Sequence, residues 1–266
     1  SPVSAEAAAA VAVVTAEDLA SRIQTLSDDR FEGRGPATAG DRAAREWIAG
    51  QMKALGLEPG GVDGSFEQPF EIVGLDTQLP TTWRFAAGSK ALDLKRREDY
   101  VAVAGRQAPQ GGFKDAEVVF VGYGIQAPEF QWDDFKGMDL KGKVLLMLNN
   151  DPDWDDALFA GKTRLYYGRW DYKYESAARQ GAAGAIIIHT VPSAGYPFQV
   201  LQTSNSGEQF ELPAGDEPRT EVNAWVTEAK ARELVAFAGK DLGKLVESAR
   251  SRDFRPVSLG VRTSLA

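Results

Sequence analysis

The sequence predicts an α+β protein in which N-terminal helices precede a β-rich domain, an open barrel or sandwich of strands flanked by helices. Three observations lead to this fold class. Apolar residues recur at helical spacing within the first 57 residues, three dense apolar runs follow residue 115, and two amphipathic segments follow residue 227. The spacing of apolar residues separates helices from strands, because a helix repeats every 3.6 residues and a strand every two.

Two helices are expected in the N-terminal region. Thr15 with Asp18, and Thr38 with Asp41, have the spacing of a capping box, in which side chains satisfy the free backbone donors of a helix start. Gly56 suits the left-handed residue that ends the second helix. The first helix places Leu19, Ile23 and Leu26 on one face, and the apolar face of the second contains Ala44, Trp47, Ile48, Met52 and Leu55.

Strands are expected over most of the middle of the chain. Short alternating runs between residues 65 and 105, such as "FEQPFEIV", "TWRFAA" and "DYVAVAG", predict antiparallel strands of modest length. The denser runs "AEVVFVGYG", "KVLLMLNN" and "GAIIIH" predict strands that are covered on both faces, because their hydrophobicity is continuous rather than alternating. A helix is expected between the last two, in "RWDYKYESAARQGAAG".

The C-terminal region predicts a strand in "TEVNAWVT", then helices in "TEAKARELVAFAG" and "DLGKLVESARS". The final residues, "RPVSLGVRTSLA", alternate strictly, with Val257, Leu259, Val261 and Leu265 on one side. A half-buried strand needs a partner strand and a covering layer. Because the chain stops inside this pattern, we interpret it as an interrupted polypeptide.

The composition excludes several classes of function. The net charge of -8 and pI of about 4.9 disfavour nucleic-acid binding, because an acidic surface repels phosphates. The absence of cysteine excludes disulfides, thiolate catalysis and cysteine zinc sites. The apolar stretch "AAAAVAVV" is far too short for a membrane span of roughly 20 residues. A start at Ser1 is consistent with removal of a signal peptide, and we therefore expect a periplasmic or secreted protein. It is equally consistent with a chain that was shortened when it was prepared.

Two features resemble metal sites only weakly. The loop "NNDPDWDDALF" carries Asp151, Asp153, Asp155 and Asp156 after an apolar run, but it lacks the glycine and the distal glutamate of a calcium-binding EF-hand loop. We interpret it as a solvated loop. His189 is the only histidine, and a hydrogen-bonded position at the edge of the core explains it better than metal ligation.

An aromatic cluster is the best candidate for ligand contact. Five aromatic residues fall within nine positions, with Arg169 among them and Arg164 just before them: Tyr166, Tyr167, Trp170, Tyr172 and Tyr174. Such side chains offer large contact area and polar groups to a peptide or a sugar. Part of the cluster must form the buried face of the helix that follows. The candidate substrate contacts are Tyr166, Tyr167, Arg169 and Trp170.

Two stretches resemble a known family. "LSDDRFEGRGPATAGDRAAREWIAGQMKALGLEPGG" resembles the start of mature di-zinc aminopeptidases, the bacterial leucyl aminopeptidases and the glutamate carboxypeptidase-like exopeptidases. "VVFVGYGIQAPEFQWDDFKGMDLKGKVLLMLNNDPD", with "GRWDYKYESAARQGAAGAIIIH", resembles the protease-associated domain inserted in many of these enzymes. The resemblance implies a helical prologue, connecting strands and a protease-associated domain.

The same resemblance implies that catalysis lies elsewhere. Members of this family hold two zinc ions in a later domain with two histidines, two aspartates and a glutamate, and a further glutamate is the general base. One histidine cannot supply two ligands, so we assign no catalytic and no metal-binding residue to this chain. The resemblance implies no cofactor within these residues and two zinc ions in the full-length protein.

The resulting prediction is the N-terminal, protease-associated portion of a secreted zinc aminopeptidase, a hydrolase of peptides that is inactive in these 266 residues alone. The predicted divisions are a disordered or processed start (1–14), a prologue with connecting strands (15–105), the protease-associated domain (106–250) and a strand of the truncated peptidase domain (251–266). The alternative is a free-standing module that binds peptides or glycans. Expected partners are a peptide substrate and the missing peptidase domain, without nucleic acid or membrane insertion. Apolar surface of the Trp47 helix and the final strand would be exposed or would form a dimer.

Overall fold

The computed structural model describes residues 4–266. The chain divides into two compact units, the first ending at Glu71 and the second running from Ile72 to Ala266. The fold class is confirmed, since helices dominate the first unit and a mixed sheet flanked by helices dominates the second. No helix within residues 4–266 has the length and apolar character needed to cross a bilayer.

Within residues 4–71, the first unit contains three α-helices, α1 (Ala5–Ala12), α2 (Ala16–Leu26) and α3 (Ala39–Ala54). Both predicted helix starts are confirmed. The hydroxyl oxygen of Thr15 accepts a hydrogen bond from the N–H of Asp18 at 3.1 Å, and that of Thr38 from the N–H of Asp41 at 3.2 Å. Gly56 has the expected positive φ of 78°. These caps satisfy donors that a helix cannot pair internally.

One expectation for this unit differs from the structure. Residues 5–12 form α1 rather than a disordered start, because alanine has the highest helix propensity and the Ser4 hydroxyl caps the first turn. Residues 1–3 of the predicted segment lie outside the described residues. The apolar face of α3 is only partly buried, since Ala44 is covered while Ile48 and Met52 are each 39% exposed.

The second unit is built on twelve strands within its described residues. They are β1 (Val73–Leu75), β2 (Thr82–Ala87), β3 (Lys90–Lys95), β4 (Tyr100–Ala104), β5 (Phe113–Phe120), β6 (Gln126–Ala127), β7 (Trp132–Asp133), β8 (Val144–Leu148), β9 (Gly184–His189), β10 (Gln209–Glu211), β11 (Val222–Thr227) and β12 (Val257–Leu265). Its helices are α4 (Trp170–Arg179), α5 (Val191–Ala194), α6 (Phe198–Ser204), α7 (Glu228–Phe237) and α8 (Leu242–Ser248).

Eight of these strands form one sheet in the order β3-β2-β12-β5-β8-β9-β11-β4. The four central strands β5, β8, β9 and β11 are parallel, and the flanking strands join them antiparallel. Every residue of β9 is buried. This burial confirms the prediction from continuous hydrophobicity, and it arises because crossover connections place helices on the faces of parallel strands.

The two faces of the sheet have separate apolar cores. Residues of α7 and α8 pack against one face, with Ala224, Ile186 and Leu146 of the strands. Residues of α4 and α6 pack against the other face, with Ile187 and Leu145. The helices predicted in the last third of the chain therefore cover the sheet as their apolar faces indicate. Strand alternation gives each face its own side chains.

The final strand lies inside the sheet. β12 pairs with β5 on one side and β2 on the other. Its inward residues Leu259, Val261 and Leu265 are all at most 3% exposed. The expectation that this strand leaves apolar surface exposed is therefore wrong, because the chain itself supplies both partner strands and the covering helices.

Two local features of the structure also differ from what the sequence predicts. The run "FEQPFEIV" is not a strand until Val73, where β1 begins, and Pro69 within it has no N–H to donate to a ladder. The helices α5 and α6 between β9 and β10 were not predicted from the sequence. They are short and lack the repeated apolar spacing that marks longer helices.

Candidate functional site

The predicted contact residues lie at the start of α4. Tyr166 and Tyr167 belong to a single 3₁₀ turn, Tyr166–Gly168, and Arg169 leads into Trp170, the first residue of the helix. Tyr166 and Trp170 are 52% and 46% exposed, whereas Tyr167 is half-buried. The turn thus divides the candidates into two exposed rings and one that is largely packed.

Tyr167 contributes to the core of its own loop. Its ring lies 5.0 Å from Tyr172 and 5.6 Å from Phe159 between centroids, in edge-to-face arrangements. Its hydroxyl donates to the carboxylate of Glu129, which raises the pKa of Tyr167 to about 12. Aromatic pairs of this geometry stabilise packing beyond simple burial. We therefore describe Tyr167 as a packed residue with only an edge available to a ligand.

Tyr166 and Arg169 are exposed but have partners within the loop. The hydroxyl of Tyr166 donates to Glu175 at 2.5 Å, and this bond raises the pKa of Tyr166 to about 12. The guanidinium of Arg169 lies 3.3 Å from the carboxylate of Asp171. Exposed ion pairs of this kind contribute little to stability, so Arg169 can exchange its partner for a ligand at small cost.

Trp170 borders a cavity of about 220 Å³. Its ring lies 6.1 Å from that of Tyr174, and the Tyr174 hydroxyl donates to the carbonyl oxygen of Ala224 at 3.2 Å. The opposite wall comes from the loop that precedes β11, with Glu217 and Arg219. The structure therefore brings one of the four candidates, Trp170, to a concave surface that includes polar groups.

A buried lysine of α4 was not singled out from the sequence. Lys173 is fully buried in α4, and its ammonium group donates to the carbonyl oxygens of Tyr123 at 2.6 Å and Asn150 at 2.7 Å. These carbonyls follow β5 and β8, so the lysine connects α4 to the carboxyl ends of two strands. A buried ammonium needs such partners, because burial without them is very unfavourable.

Two buried carboxylates accompany Lys173. Burial raises the pKa of Asp134 and lowers that of Lys173, and their mutual attraction opposes both shifts. Asp134 accepts a hydrogen bond from the N–H of Ile125 at 3.0 Å, and Asp151 accepts one from the N–H of Leu165 at 3.0 Å. Asp151 is 3% exposed, so the interpretation of the acidic loop as wholly solvated is wrong at this residue. Its other aspartates, Asp153, Asp155 and Asp156, are exposed.

A second cavity, of about 330 Å³, lies at the carboxyl ends of β8, β9 and β11. Clefts of this kind are common ligand sites in parallel sheets. Within residues 4–266, the buried side-chain oxygen of Asn150, which lines this cavity, has no hydrogen-bond partner. The polar residues of its lining include Asn149, Asp153, Thr190, Ser193, Glu228 and Arg232.

The single histidine has a structural position. His189 ends β9, is 4% exposed, and its Nε2 lies 3.0 Å from the carbonyl oxygen of Tyr196. Its ring packs against Phe198 and Trp225, and burial lowers its pKa. The hydrogen-bonded, core-edge position expected from the sequence is confirmed. Across the residues that the structure describes, no group of three or more His, Cys, Asp or Glu side chains could hold a metal ion.

Comparisons with known proteins identify one domain. Residues 104–225 match the family model of the PA domain. No curated protein matches the chain. An aminopeptidase from Aneurinibacillus sp. strain AM-1 is similar in structure, with 18% identity and a TM-score of 0.38, over 95% of this chain and 44% of that one. A peptidase M28 precursor from Shewanella amazonensis SB2B is similar with 13% identity and a TM-score of 0.36, over 94% and 49%.

This chain therefore spans less than half the length of both solved structures. The matched residues 104–225 include β5, β8, β9 and α4, together with the aromatic segment and nearly all of β11. The resemblance to the protease-associated domain is confirmed over this range, and the chain carries a PA domain.

Proposed function

We propose that the chain is the PA-bearing N-terminal portion of a zinc-dependent aminopeptidase, and that it shapes or covers the substrate cleft without being catalytic itself. The full-length protein would hydrolyse N-terminal residues from peptides. The observation that carries this proposal is the PA-domain match over residues 104–225, which follows a helical opening that resembles the start of these aminopeptidases.

The residues of this chain do not fit a di-zinc centre. Such a centre needs histidine and carboxylate ligands around each ion, at about 2.0–2.2 Å from the metal. The one histidine, His189, is buried and engaged with Tyr196. Since a second imidazole is missing from the sequence, we derive no catalytic step through zinc here. Bond breaking belongs to a part of the proposed protein outside these residues.

The exposed start of α4 supports a contact role. Tyr166 and Trp170 present aromatic surface, and Arg169 is paired only with the half-buried carboxylate of Asp171. Aromatic and arginine side chains dominate the energetics of many recognition surfaces. We assign substrate contact to Tyr166, Arg169 and Trp170, with Tyr167 contributing an edge. A periplasmic or secreted location belongs to the same proposal.

An activity assay tests the proposal. The purified chain is incubated with leucyl and alanyl p-nitroanilides, with zinc in excess, and beside it the full-length product of the encoding gene. The proposal predicts zinc-dependent release of nitroaniline by the full-length product and none by the 266 residues. Turnover by the 266 residues, or none by the full-length product, would refute it. Detection of the native protein in the cytoplasmic fraction alone would refute the location.

A free-standing peptide- or glycan-binding module is the second candidate. The cavity of about 220 Å³ beside the exposed Trp170 favours it, since concave sites with aromatic walls suit such ligands. Purification of the native protein from its source distinguishes the two. A native mass near 28.8 kDa, with ligand binding and no hydrolysis, would support the module and contradict the aminopeptidase.

A further inference from the structure

We propose that the groove between α4 and residues 211–220 binds an extended peptide and takes one of its lysine or arginine side chains beside Trp170. This inference deepens the proposed function and rests on it, because it names the kind of peptide that the aromatic surface contacts. We call this surface the α4 groove. It combines the cavity of about 220 Å³ with an adjoining one of about 760 Å³.

The two cavities adjoin each other. Both are bordered by Ala178 of α4 and by Glu217, Pro218 and Arg219 of the opposite loop. One helix face, formed by Trp170, Tyr174 and Ala178, follows the narrow part, because residues four apart share a helix face. The groove therefore has a helical wall and a loop wall, with a narrow end at Trp170.

The wide part has room for a main chain. Small residues border it, namely Gly112, Gly142, Gly181, Ala182 and Ala183. Glycine and alanine let a second backbone approach closely, since they present at most a methyl group. An extended segment rises about 3.3 Å per residue, so a few residues would place one side chain in the narrow part.

The narrow part is acidic. Its lining contains four carboxylates, Asp171, Glu175, Glu211 and Glu217, and a single cation, Arg219. Arg219 is neutralised by Glu211, at 2.7 Å. The excess of negative charge favours a cationic guest and disfavours an acidic one.

The carboxylates differ in how available they are. Asp171 lies 3.3 Å from Arg169, and Glu175 lies 3.6 Å from Arg179. Both pairs lie at the surface, with only Asp171 half-buried, and are therefore easily exchanged. Glu217 is exposed and makes no ion pair within residues 4–266. A ligand ammonium or guanidinium group could pair with Glu217 without breaking an existing ion pair.

The aromatic wall adds to this preference. Trp170 is 46% exposed, and an indole face attracts a cation through its quadrupole more strongly than other aromatic rings do. A neutral sugar would use the same ring by stacking but would gain nothing from the excess negative charge. The combination of an indole with several carboxylates favours a basic peptide over a glycan.

Fluorescence anisotropy of labelled pentapeptides on the intact 266-residue chain tests the inference. The peptides have alanine at four positions and lysine, norleucine or glutamate at the centre, with acetylated and amidated ends. We expect the lysine peptide to bind at least about fivefold more tightly than the norleucine peptide, and added salt to weaken its binding. Equal binding of the lysine and norleucine peptides, or no binding at millimolar concentration, would overturn the inference.

Variants locate the binding site. Trp170→Ala and Glu217→Gln should each weaken binding of the lysine peptide by about threefold or more. Trp170→Phe should retain part of the affinity for this peptide. Glu247→Gln is the matched control, because it removes the same charge from an exposed residue of α8. Circular dichroism shows that each variant is folded.

If Glu247→Gln and Glu217→Gln weakened binding of the lysine peptide equally, net charge alone would explain the effect. That result would overturn the α4 groove as the binding site. Displacement of the lysine peptide by a neutral oligosaccharide would overturn the choice of a basic guest. The two levels of inference remain distinguishable, because the hydrolysis assay with the full-length product does not depend on the lysine preference.

Discussion

The indole N–H of Trp83 donates a buried hydrogen bond of 2.7 Å to the hydroxyl oxygen of Thr263. The same hydroxyl donates to the carbonyl oxygen of Arg84 at 2.7 Å. The last strand, β12, is thereby joined to β2 across about 180 residues of sequence. This contact makes the C-terminal strand an integral part of the second unit.

Thr263→Val tests this role of the last strand. The change keeps the shape of the side chain but leaves the indole N–H of Trp83 buried without a partner, which costs about 1–3 kcal/mol of unfolding free energy. Urea unfolding followed by circular dichroism measures the loss. Thr82→Val, at an exposed position of β2, is the control and should change the midpoint little. Equal midpoints for the two variants would contradict the importance of the bond.

Lys173→Met tests the buried lysine. The substitution fills the same space but removes the donor for the carbonyl oxygens of Tyr123 and Asn150. Leaving a buried acceptor without its donor costs about 1–3 kcal/mol. Lys90→Met, at an exposed position of β3, is the control. A Lys173→Met variant as stable as the control would show that the ammonium group is not needed for the fold.

The hydrogen bonds of Glu117 predict how the stability of the fold depends on pH. Hydrogen bonds from Lys143 and then from Ser258 lower the pKa of Glu117. A carboxyl group whose pKa is lower in the folded state stabilises the fold above its unfolded pKa of about 4.3, and this contribution is lost as pH falls. Between about pH 5 and pH 3, wild-type stability should therefore fall more steeply than that of Glu117→Gln. Urea midpoints at several pH values measure both slopes. Identical slopes would contradict the assignment.

The backbone of Gly105 approaches that of Thr220 so closely that a larger residue should destabilise the fold. A Cβ atom at this position would lie 2.2 Å from the carbonyl oxygen of Thr220, so Gly105→Ala must push β4 away from the start of β11. Forced overpacking typically costs about 1–3 kcal/mol. Gly215→Ala is the control, because a Cβ atom there meets nothing within 4 Å. Thermal unfolding should show a clear loss only for Gly105→Ala, and equal curves would refute the account of this contact.

Local patterns were enough to predict the central strands and helix α4. Ile186, Ile187 and Ile188 form a run that can only be buried on both sides of a sheet, and they lie in β9. Gly181 follows α4 with a positive φ of 71°, as a helix-ending glycine should. These features depend on residues close in sequence, which is why the pattern reveals them.

Distant contacts could not be predicted in the same way. The polar segment "DYKYES" gives no sign that Lys173 is buried. The two carbonyl oxygens that accept its hydrogen bonds belong to Tyr123 and Asn150, 50 and 23 residues away, so the local sequence cannot reveal them. The cavity beside Trp170 depends on the loop of Glu217, which the sequence places far from α4. The position of β12 between β2 and β5 depends likewise on pairing across the whole unit.

The zinc stoichiometry of the purified chain tests the central claim most directly. The 266 residues are incubated with excess zinc, exchanged into volatile buffer and analysed by native mass spectrometry, with a His189→Asn variant in parallel. The account predicts no specifically bound zinc pair in either protein, because one buried imidazole cannot hold two ions. Two zinc ions retained per chain, and lost on the substitution of His189, would contradict it.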